Sequence, residues 1–143
     1  MKSEQTLYVA CELNSASDEY IKQVEQVKHT LEIIGFNVLH FAGKGNHEPF
    51  VIYERDIIDC VNTCSAFLGI YGGADSDGRG YETARAIDRN IPMVGVAEKG
   101  ERVSKLILGA YEYHHKPFVF VDNLLLNAPK ITLQNLGLPL GML

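Results

Sequence analysis

Apolar residues in this chain follow two alternating rhythms. Short apolar runs occupy residues 6–11 (TLYVAC), 36–41 (FNVLHF), 66–71 (AFLGIY), 93–97 (MVGVA) and 117–121 (PFVFV), and each has the composition of a buried strand. Between them the apolar positions fall three or four apart. Residues 19–34 carry Ile21, Val24, Val27, Leu31 and Ile34 at helical spacing, with Ser15, Ser17 and Asp18 as candidate caps before them and Gly35 as the terminator. Residues 50–64 read as a second helix, with Val51, Ile57, Ile58 and Val61 on one side and Glu54, Arg55, Asp56 and Asp59 around the remainder. Residues 79–89 and 102–111 supply a third and a fourth. Residues 123–143 form a leucine-rich tail broken by Pro129, Pro139 and two glycines. Its signals assign no element, and its apolar content predicts packing on the domain or on a partner subunit.

Strands alternating with helices predict a single α/β domain over residues 1–143, a flavodoxin-like or Rossmann-like sandwich whose five-stranded parallel sheet is covered on both faces. The expected strand order is 2-1-3-4-5. In that order the topological switch falls between the first and third strands, so the turn after Cys11 and the loop after Tyr71 face each other across one crevice at the carboxyl ends of the strands. A chain of 143 residues that is 46% hydrophobic is enough for one such core.

Charge and composition narrow the partners. A net charge of -5 provides no basic stripe, which argues against a nucleic-acid polymer and leaves small anionic ligands open. The start, MKSEQTLYVA, has no apolar core of a signal peptide, and no run is long enough to span a bilayer, so a cytoplasmic protein with no membrane partner is expected. Cys11, Cys60 and Cys64 lack metal-pair spacing; Cys60 and Cys64 share a helix face and read as small core residues. The histidines, including His114 and His115, have no zinc-like spacing. No metal and no cofactor is expected.

The third strand breaks into a loop carrying Gly72, Gly73, Gly78 and Gly80 before the third helix. It is neither a Walker sequence nor the dinucleotide fingerprint, so NAD is disfavoured. Its backbone N–H groups at a helix N-terminus, at Gly78 and Gly80, together with the Ser76 hydroxyl, suit a phosphate or sugar oxygen; a plain surface turn is the alternative. Glu82 is predicted in the first turn of the helix, at the floor of the crevice, where the macrodipole and a pairing with Arg85 would explain it without chemistry. Asp56, with Tyr53 and Asp59 three residues to either side, suits a solvated helix face. Tyr8, in an otherwise apolar strand, suits a core tyrosine. Two carboxylates and a phenol at one crevice also suit chemistry at an anomeric carbon.

GYETARAI after a glycine-rich loop, YERDIID one helix earlier, an aromatic in the first strand and RVSKLILGA after the fourth strand together resemble the nucleoside 2-deoxyribosyltransferase family, most nearly its branch of 2'-deoxynucleoside 5'-phosphate N-hydrolases. The resemblance implies that Glu82 attacks the sugar C1' as the base departs, that Asp56 orients substrate or handles the proton, and that Tyr8 positions Glu82. It also implies a phosphate contact by Ser76 and a site shared between subunits of a homodimer or larger homo-oligomer, with Ser104 contributed by the neighbour. The sequence departs from the family in three places. Ala84 stands where members carry glycine, predicting a narrower helix-to-sheet or subunit packing. Glu12, Leu13, Asn14 and Ser15 replace a glycine- and arginine-rich phosphate loop, which removes a cationic partner for a 5'-phosphate. Ser65 replaces an aspartate just before the central strand.

The expected function is therefore cleavage of the N-glycosidic bond of a (deoxy)nucleoside or its 5'-monophosphate, by hydrolysis or by transfer of the deoxyribosyl group to another base. The expected partner is that small molecule. A non-catalytic nucleotide-binding or sensing domain, with Glu82 hydrogen-bonding a ribose hydroxyl, is the alternative from another class. A purely structural protein assembled through its leucine-rich tail is a third.

Overall fold

A computed structural model describes residues 6–11, 17–39, 48–72 and 77–137. Five strands, β1 (Thr6–Ala10), β2 (Asn37–Val38), β3 (Ala66–Tyr71), β4 (Met93–Glu98) and β5 (Phe118–Val121), form one parallel sheet in the order β2-β1-β3-β4-β5. The predicted sandwich and strand order are those observed. Five helices flank it: α1 (Asp18–Ile34), α2 (Pro49–Tyr53, continued by a π-helical segment Glu54–Val61), α3 (Asp77–Arg89), α4 (Lys105–Tyr113) and α5 (Leu124–Leu136). Among the described residues no helix is long and apolar enough to cross a membrane.

Strand alternation sorts the core into two layers. Leu7 and Val9 of β1, Leu68 and Ile70 of β3, and Val94 and Val96 of β4 point to one face and meet Val24, Val27 and Leu31 of α1 and Leu124 and Ala128 of α5. Tyr8 and Ala10, Phe67 and Tyr71, and Met93 and Ala97 point to the other, where the π segment, α3 and α4 contribute Ile57, Cys60, Val61, Ala86 and Tyr111. The right-handed crossovers thus send α1 and α3, which follow the neighbouring strands β1 and β3, to opposite faces, and open the crevice between those strands.

Several predicted elements change shape in the structure. The second strand pairs over two residues only, Asn37 with Thr6 and Val38 with Leu7. The second helix is not a single α-helix: after one α turn it widens, and its end is marked by Asn62 N–H donating to the Ile57 carbonyl at 2.8 Å, a five-residue span. That wider turn rotates the apolar set, burying Ile57, Cys60 and Val61 while Ile58, expected inside, is 44% exposed. Cys64 lies beyond the helix, yet it is buried in the same layer as Cys60. Of the unassigned tail, Leu124–Leu136 fold as α5, capped by the Asn123 side chain on Leu126 N–H at 3.0 Å and anchored by Leu124 N–H donating to Glu98 Oε1 at 3.0 Å, while residues 138–143 lie outside the described residues. Pro129 sits inside this helix at the cost of one backbone hydrogen bond, and its burial with Leu124, Ala128 and Thr132 offsets that loss.

Two glycines make room for aromatic rings under α3 and α4. Gly69 and Gly95 are register partners on β3 and β4. A Cβ on Gly95 would lie 2.5 Å from Phe118 Cδ2, and one on Gly69 would lie 2.5 Å from Tyr71 Cζ. The rings packed there, Tyr71, Tyr111 and Phe118, meet pairwise with centroids 5.2 to 5.8 Å apart.

Candidate active site

Three residues singled out in the sequence converge at the carboxyl end of β1. Tyr8 reaches the site from β1 and is 2% exposed, while Glu82 reaches it from α3 and is 7% exposed. The Tyr8 hydroxyl and the Glu82 carboxylate share a hydrogen bond. The second carboxylate oxygen, Glu82 Oε2, is buried with no hydrogen-bond partner among the described residues. Asp56, half-buried on the π segment, receives the Arg55 Nε–H at 2.7 Å and lies close enough to act on Glu82 through its charge. Glu82 and Asp56 line one cavity of about 380 Å³, together with Pro49, Ile52, Tyr53, Ile57, Gly78 and Tyr81.

Burial dominates the electrostatics. It pushes the Glu82 carboxyl up from its ordinary 4.5 to about 8; the nearby Asp56 charge adds to the rise, and the Tyr8 hydrogen bond and the Arg79 and Arg55 guanidinium groups oppose it. The Tyr8 hydroxyl is driven well above its usual value, first by burial and then by the negative charge of Glu82. Tyr8 is therefore a phenol donor, and Glu82 a carboxyl group whose proton is exchangeable near neutral pH.

The position of Glu82 also differs from the expected first turn. α3 begins at Asp77, so Glu82 falls in the second turn, beyond the reach of a strong macrodipole effect. Arg85 does not pair with it; its Nη2 donates to Asn62 Oδ1 at 2.9 Å. Arg89 of the same helix donates to the carbonyls of Val61 and Cys64 at 2.7 and 2.6 Å, closing the end of the π segment. These contacts pin α3 to the segment carrying Asp56 and so fix the two carboxylates relative to each other. On the opposite side of α3, Thr83 Oγ1 donates to the Arg79 carbonyl at 2.8 Å and contacts the Tyr71 hydroxyl at 2.7 Å, which in turn lies 2.6 Å from the Tyr111 hydroxyl.

The remaining predicted residues divide. Gly78 lines the Glu82 cavity, but Gly80 and Ser104 line a second cavity of about 410 Å³ on the other side of Tyr81, with Arg79 and Arg102. Ser104 is the N-cap of α4, accepting from Leu106 N–H at 3.2 Å. Ser76, Gly73 and the first-loop residues Glu12, Leu13, Asn14 and Ser15 lie outside the described residues. Ala84 is exposed, so its methyl group does not narrow the helix-to-sheet packing. Ser65 belongs to the opposite end of the sheet, where its hydroxyl accepts from Thr6 N–H at 2.5 Å.

Sequence reasoning gave no weight to Arg79, which proves buried. Its guanidinium stacks 5.3 Å from the Tyr71 ring centroid and donates to the carbonyls of Ile70 at 3.2 Å and Gly72 at 3.4 Å, bracing the turn where β3 ends. An arginine flanked by glycines at the start of the helix that follows a buried strand was the available signal. Tyr53 and Tyr81, at the mouth of the Glu82 cavity, are the other additions.

Fold and crevice together define an open parallel α/β sandwich with a carboxylate pair and a tyrosine at its switch point. Among solved structures the chain is similar to the Clostridium botulinum CMP N-glycosidase BcmB, with a TM-score of 0.66 and 19% identity over 94% of this chain and 100% of that one. A CheY-like protein from Pseudomonas aeruginosa gives a TM-score of 0.48 and 11% identity over 91% and 98% of the two chains. At these identities the likeness is one of fold. No family model and no curated protein sequence matches the chain.

Proposed function

We propose that the protein is an N-glycosidase of the nucleoside 2-deoxyribosyltransferase type, acting on a (deoxy)nucleoside or its 5'-monophosphate. The observation that carries this reading is Glu82: a buried carboxyl group at the switch-point crevice, held by the Tyr8 hydroxyl, with its other oxygen unpartnered and a second carboxylate, Asp56, on the same cavity. A buried acceptor without a partner costs about 1–3 kcal/mol, which favours a positively charged or hydrogen-bonding solute beside it. The fold shared with a CMP N-glycosidase and the sequence resemblance support the same chemistry. Whether the sugar passes to water or to another base is the finer question.

In the proposed reaction ionised Glu82 forms a bond to C1' while the C1'–N electron pair leaves with the base, which takes up a proton. Water or a second base then attacks C1' and releases the carboxylate. Asp56, on the same cavity, orients the sugar or handles the proton. Tyr8 holds the nucleophilic oxygen and stabilises its charge. With the Glu82 carboxyl near 8, roughly one molecule in ten carries the reactive anion at pH 7. The rate should therefore climb with pH and level off above about 8.

Ser104, in the separate cavity, fits a homodimer in which it serves the neighbour's site, where Ser76 would also contact a phosphate. Mixing Glu82→Gln with Ser104→Trp proteins should then restore activity in hybrid oligomers, and an active monomer would exclude it.

The deciding assay is chromatography of products after incubation with nucleosides and 5'-monophosphates, ribo and deoxy, with and without a free base. Release of base by the wild type and its loss in Glu82→Gln is the expected result; release that survives the substitution removes Glu82 from the chemistry. The raised Glu82 carboxyl also favours a second reading, a binding domain in which neutral Glu82 donates to a ribose hydroxyl. That reading predicts thermal stabilisation by nucleosides without turnover.

A further inference from the structure

The carboxylates account for chemistry at the sugar carbon and leave two aromatic side chains of the same cavity without a task. Tyr53 and Tyr81 are 46% and 49% exposed, although large aromatic rings are usually buried. Their rings meet edge to face, with centroids 6.0 Å apart and planes at 69°, and their hydroxyls lie 3.3 Å apart. In such a pair each ring keeps at least one face uncovered by the other. Tyr81 immediately precedes Glu82, and Tyr53 precedes Asp56 by one helical turn. The aromatic pair is thus tied in sequence to both carboxylates, and Pro49, Ile52 and Ile57 supply apolar lining to the same cavity.

We infer that Tyr53 and Tyr81 form a stacking platform for a flat heteroaromatic ring, so that the ligand is recognised through the faces of its base while its sugar lies against Glu82 and Asp56. Calling that ring a leaving group rests on the N-glycosidase reading, whereas the platform is a matter of binding alone. The hydroxyl contact braces the two rings against each other, and the apolar lining excludes water from the ring that docks. Stacking of a base on an aromatic side chain is worth about 1–3 kcal/mol, or roughly 5- to 150-fold in affinity.

The test is calorimetric titration of the Glu82→Gln protein, in which turnover is suppressed, with cytidine, adenosine and, as a ringless control, deoxyribose. Nucleosides should bind and deoxyribose should not. Tyr53→Leu and Tyr81→Leu, each added to that protein, should weaken nucleoside binding about tenfold or more, while Tyr53→Phe and Tyr81→Phe should stay within about threefold, because the ring and not the hydroxyl makes the contact. Both positions are exposed, so melting temperatures should hold and report folding independently. Unchanged nucleoside binding in the leucine variants, or no nucleoside binding at all, would overturn the inference. The base-release assay on proteins with Glu82 intact separates the two readings. Turnover with an unaltered KM in the leucine variants defeats the platform alone, while ring-dependent binding without turnover in the wild type defeats the N-glycosidase alone.

Discussion

The two faces of the sheet come from the same strands and differ in kind. Under α1 and α5 the strands present Leu7, Val9, Leu68, Ile70, Val94 and Val96, all aliphatic, with Tyr20 and Phe36 packed against them. Under the π segment, α3 and α4 they present Tyr8, Phe67 and Tyr71, joined by Cys60, Cys64 and Tyr111, with Arg79, Glu82 and Thr83 buried alongside. An aliphatic layer needs only close packing. The other layer must find a partner for each polar atom it buries, and it does so through the Tyr71, Tyr111 and Thr83 hydroxyls, through Arg79 and the carbonyls at the end of β3, and through Tyr8 and Glu82. Among the described residues, Glu82 Oε2 and Arg85 Nε of α3 go without. One face supplies stability, and the other spends some of it on burying a carboxyl group.

The largest expected effect tests that division directly. Glu82→Gln should lower base release by at least about a thousandfold, since the nucleophilic charge is lost while the shape is kept. Leu68→Ala, on the aliphatic face, should do the reverse. It should cost about 2–5 kcal/mol in denaturant unfolding and leave kcat per folded molecule near the wild-type value. A comparable loss of kcat in Leu68→Ala would show that the faces are not separable.

The next effect is thermodynamic and concerns the same carboxyl group. Folding raises the Glu82 carboxyl from 4.5 to about 8, so between those values the folded protein holds a proton that the unfolded chain releases. Its stabilising contribution is complete below pH 4.5 and is lost as the pH rises through about 8. The loss is on the order of 5 kcal/mol for a shift of this size. Glu82→Gln carries no such proton, so its melting temperature relative to wild type should climb steadily from pH 5 to pH 8. Other titrating groups cancel in the comparison. A difference that stays flat across this range would mean that Glu82 titrates as an ordinary carboxylate.

The sheet and the meeting of Tyr8, Asp56 and Glu82 were legible because they depend on order: apolar runs alternating with helical spacing dictate a parallel sheet, and the sheet order brings the ends of β1 and β3 together. The rest depends on geometry finer than that. Reading at 3.6 residues per turn put Ile57 and Ile58 on one side, and the π segment separates them. Pro129 disguised α5, because a proline argues against helix whenever its tertiary packing is unknown. Proton affinity was least legible of all: the position of Glu82 near the start of a helix gave no sign that burial would raise its carboxyl to about 8. Nothing in the order of residues says how deeply a side chain is placed.

Tyr8 offers the smallest effect and the sharpest view of the boundary between the faces. It sits on β1 between Leu7 and Val9, which point to the first layer, and its hydroxyl carries β1 into contact with the candidate nucleophile. Its hydroxyl hydrogen-bonds the Glu82 carboxylate and so opposes the rise that burial imposes. Tyr8→Phe keeps the ring against Phe67, 5.9 Å away between centroids, and removes only that donor. Glu82 should then hold its proton more tightly, moving the rising limb of the kcat/KM profile upward by about one pH unit, the equivalent of a hydrogen bond to a charged group. The plateau at high pH should fall less than the rate at pH 7. If Tyr8 served only to pack the core, the whole profile would drop by one factor with its midpoint unmoved, and the pH–rate curve distinguishes these outcomes without reference to the size of the loss.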